Sequence, residues 1–189
     1  MAADKDIYKE KLDMAAVRLV KDAPLMSRTP IRSPEDAVKL LGSYLCKMDR
    51  EVICIINLRS DGRPINCSIC SMGAIDQAIA HPREIMKAAI LSNASNIIMM
   101  HNHPSSNLTP SKEDTMLTDR MSVVCEILGI PLADHIIVGG DNREYFSFRE
   151  KDILPMKAIK LQNDYTKLDM DASGVDEDHV IIQPRRRGR

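Results

Sequence analysis

His101-Asn102-His103-Pro104-Ser105-Ser106-Asn107-Leu108-Thr109-Pro110-Ser111-Lys112-Glu113-Asp114 decides how this chain is read. Two histidines one residue apart project to the same side of an extended segment, so both imidazoles can reach a single ion. The apolar run Ile97-Ile98-Met99-Met100 before them reads as a buried strand, which places the histidines where a strand gives way to a loop. Ser111 then opens a long helix and brings the Asp114 carboxylate from the next element. Two nitrogens and one oxygen leave the fourth tetrahedral position of Zn2+ open to water, as in catalytic rather than structural zinc. The stretch therefore reads as the core of a metal-dependent hydrolase.

Working outward, the helix from Ser111 carries Met116, Leu117, Met121, Val124 and Leu128 on one side and closes at Gly129 and Pro131. His135–Val138 and Tyr145–Phe148 read as two further strands around Gly139-Gly140-Asp141-Asn142. Upstream, Pro82 opens a helix with Ile85, Met86, Ala89 and Ile90 facing inward. Glu51–Leu58 and Pro64–Met72 pair as a hairpin across Ser60-Asp61-Gly62. Ser33-Pro34-Glu35-Asp36 caps a helix running from about Pro34 to Lys47. Tyr8, Leu12, Ala15, Ala16 and Leu19 suit an amphipathic helix over residues 4–21. Hairpins mixed with helices give an α/β (α+β) sheet protein. We expect three segments: an N-terminal helix and linker over residues 1–30, a metal-binding domain over 31–156, and a mobile charged tail over 157–189.

Composition narrows the field. A chain of 189 residues is too short for a complete eight-fold strand-helix barrel, which needs roughly 250. A net charge of -1, from 26 basic and 27 acidic residues, gives no global reason to wrap nucleic acid, and aromatic residues for stacking on bases make up only 3%. The basic end Arg185-Arg186-Arg187-Gly188-Arg189 is the one local exception. Five cysteines without a regular framework, together with an N-terminus lacking a charged-apolar-small leader, lead us to expect a reducing, cytoplasmic setting. No apolar run approaches the roughly 18 to 20 residues needed to span a bilayer, so we expect no membrane association. Cys67-Ser68-Ile69-Cys70 lies on an expected strand without a second pair, and reads as buried thiols rather than a metal or redox motif.

The order of a glutamate, His-x-His-Pro, and Ser-x-x-Asp resembles the JAMM or MPN zinc metallopeptidases, and His101–Ser106 with Pro110-Ser111 looks like their RadC-like branch. Arg50-Glu51, Pro82-Arg83-Glu84, Asp134-His135-Ile136-Ile137 and Ser147-Phe148-Arg149-Glu150 support the resemblance, which covers roughly residues 31–150. It implies a JAMM/MPN-type fold, a cytidine-deaminase-like mixed β-sheet flanked by helices. It also implies that His101, His103 and Asp114 bind Zn2+ and that Ser111 steadies an oxyanion. Glu51 would be the general base, taking a proton from the attacking water and returning it to the leaving amine. The implied substrate is a protein or peptide with a scissile amide or isopeptide bond.

Two departures stand out. Where the RadC-like pattern has Pro-Ser-Gly after the second histidine, this chain has Pro104-Ser105-Ser106, and we expect an altered loop because glycine tolerates backbone angles that serine does not. The helix-hairpin-helix region of longer RadC proteins is not expected in residues 1–30, which weakens a direct role on DNA. The rival reading is a noncatalytic RadC-like module that binds a protein or DNA partner in DNA repair or mobile-element biology. Among individual residues, Ser111 with Asp114 also reads as a capping box. His135 reads as a satisfied structural histidine, and Glu84 is explained by its place in the first turn of a helix.

Overall fold

Val52–Leu58 is buried at every position and forms strand β1, and an unbroken apolar run of this kind needs cover on both faces of a sheet. The computed structural model, which describes residues 29–73, 81–141 and 144–155, supplies that cover from helices on each side. The pattern read over residues 4–21 and the charged tail lie outside the described residues.

After β1 the chain turns at Asp61 and Gly62. Gly62 takes φ +82°, a conformation that side chains disfavour, and the Asp61 carboxylate accepts the Arg63 N–H at 3.1 Å. The chain returns as β2, Pro64–Met72, antiparallel to β1. On the other side of β1 lies antiparallel β3, Asn96–Asn102, followed by β4, Leu132–Val138, parallel to β3. A short antiparallel β5, Tyr145–Ser147, completes the order β2-β1-β3-β4-β5. This is the mixed sheet flanked by helices that the sequence leads one to expect.

Ser33 and Asp36 form a reciprocal capping box that starts α1, Pro34–Ala37. The helix continues as a π-helical stretch, Val38–Gly42, and ends as α2, Ser43–Leu45, short of Lys47. Its residues Ala37, Leu41 and Leu45 pack on Val52, Cys54 and Ile56 of β1 and on Ile98 and Met100 of β3. The opposite sheet face, with Ile53, Ile55, Ile97 and Met99, is covered by α3, Pro82–Leu91, and by α4, Lys112–Leu128, which also makes the crossover between the parallel strands. Alternation along β3 therefore sends odd-numbered residues toward α3 and α4, and His101 follows Met99 on that face.

Two helical faces differ from their expected orientation. Ile90 is 51% exposed, because Ile85, Met86 and Ala89 already fill the contact with the sheet. On α4 the buried stripe is Asp114, Thr118, Met121, Ser122 and Cys125, while Met116 and Leu128 are 44% and 43% exposed. The first half of α4 faces buried histidines, so its inward side is polar, and a search for apolar periodicity assigns such a stripe to solvent.

Candidate metal centre

β3 carries His101 as a buried strand residue, and the chain stays pinned to β4 one step further, where the His103 N–H donates to the Val138 carbonyl at 2.9 Å. The His101 and His103 Nε2 atoms stand 3.0 Å apart. His103 Nδ1 lies 2.5 Å from the Asn107 carbonyl oxygen. A carbonyl only accepts, so that nitrogen carries a proton, and in the neutral ring the Nε2 lone pair faces the His101 ring.

The loop between them turns at Ser106, which takes φ +60° and whose hydroxyl accepts the Gly140 N–H at 3.0 Å. The serine thus adopts a left-handed conformation of the kind that glycine takes readily. The gained hydrogen bond offsets part of a cost of about 1 kcal/mol or more.

Asp114 enters from the first turn of α4. Its Oδ2 accepts the Ser111 N–H at 2.7 Å and the Ser111 hydroxyl at 2.6 Å, while the Asp114 N–H donates to Ser111 Oγ at 3.0 Å. The capping box orients the carboxylate, and Oδ1 is left 3.1 Å from His101 Nε2. Oδ2 stands 3.4 Å from His103 Nε2. Candidate ligand atoms of His101, His103 and Asp114 all lie within 4.8 Å of one another, in a buried setting. Burial works to raise the Asp114 pKa, but hydrogen bonds that the His101 and His103 rings donate in their charged forms outweigh it, and the carboxyl is held well below its ordinary range. The hydrogen bond to Asp114 raises the His103 pKa against the effect of burial, and the Glu51 charge adds to the rise.

Glu51 precedes β1 and is half-buried. The β1–β3 ladder pairs Ile53 with His101, and continuing that antiparallel register sets Glu51 opposite His103. Asn102, buried between the two histidines, brackets the glutamate: its Oδ1 accepts the Val52 N–H at 2.9 Å and its Nδ2 donates to the Arg50 carbonyl at 3.0 Å. Glu84, in contrast, lies on the surface of α3 and pairs with Lys87 at 2.7 Å.

His135 is fully buried and satisfied, as its reading as a structural histidine implies, but its neighbours join it to the cluster. Its Nε2 is 2.8 Å from His101 Nδ1, and its Nδ1 is 2.6 Å from the Thr118 hydroxyl oxygen. Its ring stacks on Phe148, with centroids 4.8 Å apart and planes within 9°. Burial pushes its pKa well below the ordinary imidazole range. The sequence holds one signal for this residue, a histidine in an otherwise apolar strand after Asp134. That aspartate is itself a structural knot, accepting from the Ser147 hydroxyl at 2.6 Å and from the His135 and Arg149 N–H groups at 2.7 and 3.0 Å. Cys67 and Cys70 pack toward opposite sheet faces, and burial pushes the Cys70 thiol up to about 12.

The model of the RadC-like JAB domain family matches residues 31–153. The chain belongs to the RadC-like JAB domain family. Among curated relatives of this JAB domain, a UPF0758 protein of Desulfitobacterium hafniense is 41% identical over 137 residues, 72% of this chain and 59% of its own length. A UPF0758 protein of Actinobacillus pleuropneumoniae is 41% identical over 124 residues, covering 66% of this chain and 56% of the relative. One from Thermotoga maritima is 43% identical over 104 residues, 55% of this chain and 46% of the relative. The chain spans about half to three fifths of the length of these relatives. Among the described residues, no helix is long and apolar enough to cross a membrane.

Proposed function

We propose that this JAB domain is a zinc-dependent hydrolase of the JAMM type, a metallopeptidase or isopeptidase that cleaves an amide bond of a protein or peptide. The observation that carries the reading is the convergence of three electron-pair donors, His101 Nε2, His103 Nε2 and an Asp114 carboxylate oxygen, in one buried pocket. With both rings neutral the facing lone pairs repel, and a cation between them relieves the repulsion. Two imidazoles and one carboxylate suit Zn2+ with one position left for a reactant.

His101, His103 and Asp114 would hold the zinc ion, which would supply Lewis acidity to acidify the attacking water and polarise a scissile carbonyl. The chain supplies the rest. Glu51, opposite His103, accepts the proton of the attacking water and passes it to the departing amine nitrogen. Ser111 is exposed beside the pocket, and its hydroxyl hydrogen turns from Asp114 Oδ2 toward the oxyanion that develops on the substrate. The domain carrying this chemistry is taken as residues 31–156, between an N-terminal segment 1–30 and a tail 157–189. The odd number of thiols without a disulfide framework supports a cytoplasmic setting.

Metal analysis of the purified protein tests the reading. About one zinc per chain is expected, and His103→Ala and Asp114→Ala should each strip most of it. Full zinc retention in both variants would remove the ligand assignment. Zinc-loaded protein should cleave members of a quenched peptide and isopeptide library, whereas intact peptides with tight DNA binding would favour the noncatalytic module.

A further inference from the structure

Thr118 and His135 form a chain of hydrogen bonds behind His101 whose proton count has one solution when His135 is neutral. The Thr118 hydroxyl lies 2.6 Å from the Asp114 carbonyl oxygen. That oxygen only accepts, so the single hydroxyl hydrogen points to it. Thr118 Oγ1 must then accept from His135 Nδ1, 2.6 Å away, and that nitrogen carries the ring proton. A neutral imidazole has one N–H, so His135 Nε2 is bare and accepts from His101 Nδ1 at 2.8 Å. His101, with its proton on Nδ1, presents a bare Nε2 to the pocket shared with His103 and Asp114. The other way to fill the chain is a doubly protonated His135, a cation with no solvent contact, which its full burial opposes.

We infer that His135 and Thr118 are positioning residues that lock His101 in its Nδ1–H tautomer and aim its Nε2 lone pair into the metal pocket. The functional meaning rests on the zinc reading given above, whereas the tautomer is a property of the metal-free chain. The arrangement is economical in sequence terms. Asp114 and Thr118 lie four residues apart on the same face of α4, so one helix provides a ligand and the anchor of the chain that orients another ligand. Phe148 stacked on His135 fixes the plane of the intermediate ring. A neutral imidazole is also a weaker acceptor than the carboxylate that often backs a metal-bound histidine, so His101 donates less electron density and the ion keeps more of its acidity.

Imidazole 15N NMR of the metal-free protein at about pH 8, above the ordinary imidazole range, reads the tautomers directly. His101 and His135 should both appear as Nδ1–H forms. Thr118→Val removes the acceptor at the end of the chain, frees His135 to donate from Nε2, and should shift His101 toward the Nε2–H form. Zinc affinity, measured by competition with a chelator, should weaken by about 10 to 100-fold in that variant. Thr118→Ser keeps the hydroxyl and should restore both readouts. An Nε2–H tautomer for His101 in the unmutated protein overturns the inference, as does a Thr118→Val protein with unchanged tautomer and unchanged zinc affinity. The two readings fail separately: the tautomers described with no zinc uptake uphold the relay and remove the metallopeptidase, while zinc uptake with the opposite tautomer does the reverse.

Discussion

Glu51 owes its place to strand register, since extending the β1–β3 ladder by two residues sets it opposite His103. Glu51→Gln keeps the shape and removes the basicity, so zinc content should be unchanged while peptide hydrolysis falls by about 10² to 10⁴, the usual contribution of a general base. Glu84→Gln should leave both unchanged, because Glu84 pairs with Lys87 on the surface. A reversed pattern would show that β1 does not place the base. His103 and Asp114 also set a pH dependence. Asp114 lies below its ordinary 3.8, so its contribution to the metal-free fold is present above that value and lost as pH falls through the lowered one. His103 lies above its ordinary 6.5, so its contribution is complete below 6.5 and lost as pH rises through the raised value. Zinc needs the neutral ring, so its affinity should climb over the same upper range in which the metal-free fold loses this support, with release of about one proton per zinc. Calorimetry in buffers of different ionisation enthalpy measures that proton. Affinity flat from about pH 6 to about pH 8 would mean that His103 does not bind the metal.

α4 shows why part of this architecture escapes a reading of the sequence. Its inward stripe mixes Met121 and Cys125 with Asp114, Thr118 and Ser122, and its exposed side carries Met116 and Leu128. Met121→Ala should cost about 2 to 5 kcal/mol in denaturant unfolding, as deletion of a packed core side chain does, while Leu128→Ser should stay within about 0.5 kcal/mol. Equal costs would mean that the apolar periodicity had identified the true face. β1 is legible because a run of Val and Ile has few other uses, β2 because the Asp61-Gly62 turn returns the chain as a hairpin, and β4 only from His135 onward, since Asp134 interrupts its apolar run. His101, His103 and Asp114 are legible because their spacing is local. The role of His135 depends on a contact across 34 residues, from β4 to β3, that periodicity cannot encode. Glu51 is proposed on family resemblance alone, since a lone glutamate before a strand carries no chemical signal of its own.

Taken as a whole, the sheet separates an apolar interior under α1 and α2 from a second one under α3 and α4, and the candidate centre lies on the latter face. A near-neutral chain with few aromatics should bind duplex DNA weakly at physiological salt. Replacing Arg185, Arg186, Arg187 and Arg189 by Gln in the full chain should abolish most of any residual affinity and flatten its salt dependence. Tight, sequence-selective binding that survives those changes would favour the rival module. The Asn102 side chain, which holds the backbone on both sides of Glu51, gives the middle letter of His-x-His more than a spacer's duty. Because one tripeptide sets both histidines and also grips the neighbouring strand at the glutamate, thermal excursions of the β3 end carry all three side chains in the same direction. Their individual positions can fluctuate while the separations between them stay narrow, and it is the separations that a proton transfer senses.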